Sequence, residues 1–252
     1  MDNMKRITPH GDRLDRLLVT LQLTESRHRA QQLIQKGAIR VNGEIITKNS
    51  APIAEGAIIE VLQSLSYVSR AGYKLEHALR QFKVDVAGFI CLDIGASTGG
   101  FTDCLLQHGA NRVYAVDVGS NQLHQTLRPN PRVISMEKTD LRTLPTLPEP
   151  VDLIVIDVSF ISLSLIFPHL ARFSHDKSRI ISLIKPQFEV GKGHLNKRGI
   201  VRRTEDRQRV LQTVVHHAES HGWHCLQQTE SPIAGGDGNI EYLALFCLES
   251  PQ

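Results

Sequence analysis

Leu92-Asp93-Ile94-Gly95-Ala96-Ser97-Thr98-Gly99-Gly100 is the stretch that decides how the larger part of this chain folds. An apolar run ends on an acid, glycines follow at once, and a helical pattern starts at Phe101. Strand, tight turn and helix in that order open a doubly wound α/β sheet, and ligands bind such sheets at the carboxyl ends of the strands. Glycines let the backbone approach a ligand closely. A dinucleotide fingerprint needs its second glycine where Ser97 stands, and a P-loop needs Gly-Lys-Ser/Thr after the glycines, so both phosphate-binding readings are weakened. The next apolar run closes on Asp117, about 20 residues beyond the loop, the spacing at which an acid accepts hydrogen bonds from a ribose diol. The candidate cofactor residues are therefore Asp93, Gly95, Ala96, Ser97, Thr98, Gly99, Gly100 and Asp117, which suit a ribose-bearing cofactor without a pyrophosphate site. Asp140, after the third apolar run, either lies beside the same pocket or caps the helix that follows it.

Working outward, apolar runs at 89–93, 112–117, 132–136, 153–157, 179–184, 223–229 and 242–248 alternate with helical segments. They predict a mostly parallel, doubly wound, seven-stranded sheet. Seven strands with the last two adjacent in sequence resemble the Rossmann-like sheet of methyltransferases that use S-adenosylmethionine (SAM). Four charged residues stand where such a sheet presents reactive groups. Lys74 lies on an amphipathic helix before the first strand, Asp157 ends the fourth, Lys185 ends the fifth, and Glu241 precedes the last. One charge at a strand end is usually a solvated terminus. Four converging on one end of one sheet make a candidate catalytic cluster.

The front of the chain has a different rhythm. Leu14, Leu17 and Leu18 recur at helical spacing, and a second helix starts near Thr24 or Ser26, turns Ala30, Leu33 and Ile34 inward and stops at Gly37. Ile39 and Val41 then alternate as a strand, Asn42-Gly43 marks a two-residue hairpin, Ile45-Ile46 resume beyond it, and a last strand spans 57–62. Residues 13–40 hold Arg13, Arg16, Arg27, Arg29, Lys36 and Arg40 against Asp15 and Glu25, 6 − 2 = +4, out of +3 for the whole chain. Arg29, Gln32 and Lys36 share one helix face apart from the apolar one.

Composition excludes several classes. A chain of 252 residues with 41% hydrophobic and 22% charged residues reads as a globular protein with a sizeable core. Cys91, Cys104, Cys225 and Cys247 lack the paired spacing of a zinc knuckle or a disulfide framework, so no metal is expected and a reducing cytoplasm is the simple reading. The N-terminal residues lack an apolar signal region, and the apolar stretch 153–167 is interrupted by Asp157 and serines, so neither export nor stable membrane association is expected.

Residues 12–63 resemble the S4-type RNA-binding domain, which implies that the six basic residues contact RNA phosphates. The resemblance implies such a domain, an α+β unit, at 1–65, and the rest of the chain, 66–252, resembles an FtsJ-like methyltransferase domain. Tyr67-Val68-Ser69-Arg70-Ala71-Gly72, the glycine loop, Asp157-Val158-Ser159-Phe160, Lys185-Pro186-Gln187-Phe188 and Gly238-Asn239-Ile240-Glu241 extend the resemblance over nearly the whole chain. As a whole it is similar to the TlyA family of ribosomal RNA 2'-O-methyltransferases, often labelled haemolysin A. The resemblance implies SAM as cofactor, cytidine 2'-O-methylation in ribosomal RNA or ribosomal subunits, and a Lys-Asp-Lys-Glu tetrad at Lys74, Asp157, Lys185 and Glu241. The chemistry is consistent with it: a ribose hydroxyl is a very weak acid, and its attack on a sulfonium methyl needs a proton acceptor or charge stabilisation. The haemolysin label raises a membrane-active protein as an alternative, but no strongly amphipathic segment supports it. A pseudouridine synthase would share the first domain but needs no glycine loop. A non-catalytic RNA-binding protein with the same fold would not need all four polar positions intact.

Overall fold

A computed structural model of the chain describes residues 4–35, 37–61, 67–235 and 238–248. They form two compact units, Met1–Ser66 and Tyr67–Gln252.

In the first unit β1 (Met4–Ile7) and β2 (Asp12–Arg13) precede α1 (Leu14–Thr20) and α2 (Arg27–Gln35), and β3 (Ile39–Val41), β4 (Glu44–Ile45), β5 (Pro52–Ile53) and β6 (Ile58–Val61) follow. The helices pack through Leu14, Leu17, Leu18, Ala30, Leu33 and Ile34, all buried. Ser26 starts α2, its Oγ accepting the Arg29 N–H at 3.2 Å. Asn42 and Gly43 both have positive φ, 48° and 90°, the conformation a two-residue hairpin requires. The sheet order is β1-β6-β3-β4, with β2 and β5 paired apart. Strand β1 had no signal in the sequence, because Met4-Lys5-Arg6-Ile7 does not alternate. Gln32 is buried rather than solvent-facing, so α2 is covered over more than its apolar stripe. Leu62, where the last strand was expected to end, and Lys36 lie outside the described residues.

In the second unit α3 (Ala71–Phe82) leads into β7 (Ile90–Ile94), α4 (Gly100–Gln107), β8 (Arg112–Val116), β9 (Val133–Met136), β10 (Val151–Ile156), β11 (Ser174–Ile184), α5 (Pro186–Glu189), α6 (Thr204–Glu219), β12 (Trp223–Glu230) and β13 (Tyr242–Leu248). The sheet order is β12-β13-β11-β10-β7-β8-β9. β7 to β11 run parallel and β13 runs antiparallel to both its neighbours. The central strands are apolar on both faces because both are covered. Cys91, Leu153, Val155, Ile181 and Leu183 join Leu75, Leu79, Phe101 and Leu105 of α3 and α4. The alternate residues Leu92, Ile94, Ile154, Ile156, Ile180 and Ile184 join Phe167, Phe173, Val210, Val214 and Trp223. The period of two thus splits one sheet between two cores.

Regular helix does not cover every crossover. The links from β8 to β9 and from β9 to β10 contain no α-helix among the described residues, and three short 3₁₀ turns between Leu163 and Phe173 replace one after β10. Pro129, Pro131, Pro145, Pro148 and Pro150 fall in the first two links, where each removes a backbone donor and blocks a helical turn.

Candidate active site

The strand order reverses between β7, which adjoins β8, and β10, and the segments leaving these two strands meet. Gly95 has φ +81°, and a Cβ on it would lie 2.6 Å from the carbonyl oxygen of Asp157. Only glycine lets the loop after β7 lie against the end of β10. Ser97, itself at φ 49°, donates its backbone N–H to Asp117 Oδ2 at 2.8 Å, and Gly119 N–H reaches Oδ1 at 2.7 Å. Asp117 is thereby fixed toward the loop, and each oxygen keeps accepting capacity for a ligand hydroxyl. Gly99 does something else than clear a ligand's approach: a Cβ there would strike the side chains of Leu123 and Leu127, so this glycine serves packing.

Two adjoining clefts open here. One, of about 530 Å³, is lined by Gly95, Ser97, Asp117, Val118, Gln122, Asp140, Leu141, Asp157, Ser159 and Phe160 among others. The second, of about 230 Å³, is lined by Ser69, Ala71, Gly95, Ala96, Ser97, Thr98, Gly100, Phe101, Asp157, Ser159 and Lys185. Together they are of a size to hold a nucleoside with an attached amino-acid chain. Seven of the nine candidate cofactor residues face these clefts, while Asp93 and Gly99 line neither. Asp93 is fully buried behind the loop and accepts the Thr102 hydroxyl at 2.6 Å. Burial, reinforced by the charges of Asp157 and Asp117, outweighs that hydrogen bond and pushes its carboxyl up to about 7. Asp140 fulfils both readings of the sequence. It lines the larger cleft and caps the turn Leu141–Thr143, its carboxylate accepting the Arg142 N–H at 2.9 Å and the Arg142 guanidinium at 2.6 Å. These bonds hold its carboxyl down at about 2.

The four candidate catalytic residues form two ion pairs. Lys185 Nζ lies 2.7 Å from Asp157 Oδ1 and donates to Ser159 Oγ at 2.8 Å. Lys74 Nζ meets Glu241 Oε2 at 2.5 Å. Ile184 pairs with Tyr242 in the antiparallel register of β11 and β13, so Lys185 and Glu241, one step further, leave adjacent strands at the same end. The first pair borders the smaller cleft. The second is buried, with side chains 10% and 3% exposed, and lines neither cleft.

Beyond these residues, the sequence carried no signal for Phe160. It is 90% exposed, its φ is +64°, and its ring lies 4.9 Å from that of Phe188. A bulky side chain in the left-handed region is strained and persists only where the surroundings fix it. Glu189 supplies part of that fixing by accepting the Ser162 hydroxyl at 2.6 Å and the Leu163 N–H at 2.9 Å. Glu137, equally unmarked, accepts the N–H groups of Asn121, Gln122 and Leu123 and so shapes the wall carrying Gln122.

Residues 67–247 match the family of FtsJ-like methyltransferases, and residues 12–59 match the S4 domain. Hemolysin A of Brachyspira hyodysenteriae is 45% identical over 94% of this chain and 100% of its own length. The 16S/23S rRNA (cytidine-2'-O)-methyltransferase TlyA of Mycobacterium tuberculosis is 42% identical over 91% of this chain and 87% of its own. The chain belongs to the TlyA family of FtsJ-like methyltransferases. A solved structure from Streptococcus thermophilus that carries the hemolysin name superimposes with a TM-score of 0.75 at 42% identity, covering 97% of this chain and 91% of that one. No helix among the described residues is long and apolar enough to cross a membrane.

Within the S4 match, the six basic residues are not equivalent. Arg13 and Arg27 both bind the buried Asp15, at 3.0 and 2.9 Å, and Gln31 donates to it as well. Burial opposes ionisation of Asp15, but the bonds from Arg13, Arg27 and Gln31 prevail and hold its carboxyl well below the usual range. Arg16 pairs with Asp12 at 3.7 Å and Arg40 with Glu60 at 3.5 Å. Part of the positive charge counted in the sequence is therefore neutralised inside the fold.

Proposed function

We propose that this protein transfers the methyl group of SAM to a ribose 2'-hydroxyl of ribosomal RNA, a cytidine in the reading taken from its M. tuberculosis relative, in the cytoplasm and on free RNA or ribosomal subunits. The observation that carries the proposal is the meeting of the larger cleft, which bears Asp117, with Lys185 and Asp157 across Gly95 and Ser159. The site fits SAM on three counts. Asp117 keeps lone pairs for a ribose diol, Val118 and Leu141 give the larger cleft apolar walls for an adenine, and the smaller cleft runs from the glycine loop to Lys185. SAM supplies an activated methyl group, so the chain has to position the acceptor and manage its proton.

In this reading Lys185, in its neutral amine form, takes the 2'-hydroxyl proton at Nζ and becomes the ammonium that Asp157 stabilises, while Ser159 keeps that nitrogen aimed at the cleft. Phe160 offers an exposed ring face on which an unstacked base can lie, as single-stranded RNA recognition commonly requires. Lys74 and Glu241 act as positioning residues, bracing the strand end next to Lys185. Arg29 and Lys36, with the outward parts of Arg13, Arg16, Arg27 and Arg40, grip phosphates and carry no base information.

SAM binding by calorimetry and methyl incorporation into ribosomal RNA test the reading together. Lys185→Ala is expected to bind SAM almost normally and to transfer nothing. Binding of NAD in place of SAM, or near-normal turnover by that variant, contradicts it.

A further inference from the structure

The loop between α5 and α6 is built as a rigid basic hairpin. Leu195 and Val201 form an antiparallel bridge. Asn196 turns the chain, its Oδ1 accepting the N–H of Arg198 at 2.8 Å and of Ile200 at 3.0 Å, and Gly199 takes φ 72°. Asn239, fully buried, then holds the far strand: its Oδ1 accepts the Val201 N–H at 3.0 Å and its Nδ2 donates to the Gly199 carbonyl at 3.1 Å. Arg207 adds a second tie, donating to the carbonyls of Val201 and Arg202, to Thr204 Oγ1 and to the Tyr242 hydroxyl. Asn239 and Tyr242 flank Glu241, so the hairpin is fastened to the same end of the sheet as Lys185.

This anchored element displays Lys197, Arg198, Arg202 and Arg203, all exposed. Over residues 197–205 the charge is four lysines and arginines against Glu205, 4 − 1 = +3. Nearby acids are engaged elsewhere: Asp206 is buried against His194 at 3.1 Å, and Glu189 is tied to Ser162 and Leu163. Arg202 and Arg203 also precede the first turn of α6, where the helix dipole disfavours cations. Their placement therefore costs local stability, and helix formation does not explain it.

We infer that the 195–203 hairpin is a second RNA-contacting surface, gripping phosphates beside the nucleotide being modified, separate from the basic residues of the S4 domain. The inference rests on the proposed RNA substrate and adds where the catalytic unit itself holds it. A basic element fastened at the same end of the sheet as Lys185 sets the register of the strand there.

The test uses the full-length protein and 16S and 23S ribosomal RNA transcribed without modification. Lys197→Ala/Arg198→Ala and Arg202→Ala/Arg203→Ala, singly and combined, are compared with wild type for SAM affinity, for KM toward RNA, and for RNA binding at several salt concentrations. SAM affinity is expected to stay unchanged. Combined, the four substitutions should weaken RNA binding by roughly tenfold and make the salt slope shallower by about 0.9 for each phosphate that is no longer neutralised. Arg202→Lys/Arg203→Lys should restore most of the loss, since a phosphate needs charge more than shape. Wild type that methylates RNA alongside a combined variant with normal KM and slope overturns the inference and leaves the proposed function standing. Wild type that binds SAM and methylates no RNA overturns the proposed function itself. A combined variant that loses binding to vesicles of anionic phospholipid while holding RNA normally also overturns the inference, in favour of a lipid-facing surface.

Discussion

Two lysine–carboxylate pairs stand at the same end of the sheet, and their surroundings separate them. Lys185 and Asp157 have side chains 12% and 18% exposed, border a cleft and share a hydroxyl partner in Ser159. Lys74 and Glu241 are more deeply buried, join α3 to the start of β13 and line neither of the two clefts. An ion pair with access to substrate can exchange a proton with it. A sealed pair can only hold its elements in place, and it becomes costly when one member is lost. We propose that the tetrad is a working pair braced by a structural pair.

The sharpest way to break this distinction is to remove each lysine. Lys185→Ala should lower kcat by roughly 10²–10⁴-fold, the usual contribution of a positioned acid or base, with little change in melting temperature or SAM affinity. Lys74→Met should instead destabilise the fold by roughly 3–5 kcal/mol, because Glu241 is left charged and buried. Adding Glu241→Gln should recover much of that stability, measured by urea denaturation, and part of the turnover. If Lys74→Met/Glu241→Gln were fully stable and still wholly inactive, Lys74 would belong with the working pair.

Asp93 sharpens the comparison on the sealed side of the loop. Burial raises its carboxyl from 3.8 to about 7. Between those values the unfolded chain is ionised there and the folded one is protonated, so stability falls as pH rises through that window and levels off above it. Asp93→Asn is exempt from this loss. From pH 5 to pH 8 the variant should therefore gain about 2 kcal/mol relative to wild type. An unchanged difference across that range would mean that the carboxyl keeps an ordinary acidity.

The smallest effect separates basic residues within the S4 domain. Arg27→Ala strips a partner from buried Asp15 and should lower the melting temperature. Arg16→Ala removes only a largely exposed 3.7 Å pair with Asp12, so it should leave the melting temperature nearly unchanged and make the RNA salt slope shallower by about 0.9. Equal thermal losses in both would place Arg16 among the structural arginines.

What the sequence revealed and what it hid follow from range. The central strands of the larger unit were legible because double-sided burial makes them continuous apolar runs, as in 153–156. The glycine loop and Asp117 were legible because their spacing is local chemistry. Hidden were the effects of distant contacts. Gly99 reads as a ligand-facing glycine until Leu123 and Leu127 close on it, and Arg13 and Arg27 read as free charge until Asp15 is found between them. The exposure of Phe160 and its contact with Phe188, further along the chain, depend on tertiary packing that a local reading does not show. The missing crossover helices were marked by prolines, a signal that the alternation of strands overrode.

In the proposed mechanism, methyl transfer to a ribose oxygen depends on Lys185. The most direct test is nucleoside mass spectrometry of unmodified ribosomal RNA incubated with SAM and either wild-type or Lys185→Ala protein. The expected result is a 2'-O-methylated nucleoside with the wild type and none with the variant. A methyl group on the base, or equal ribose methylation by both proteins, would contradict it.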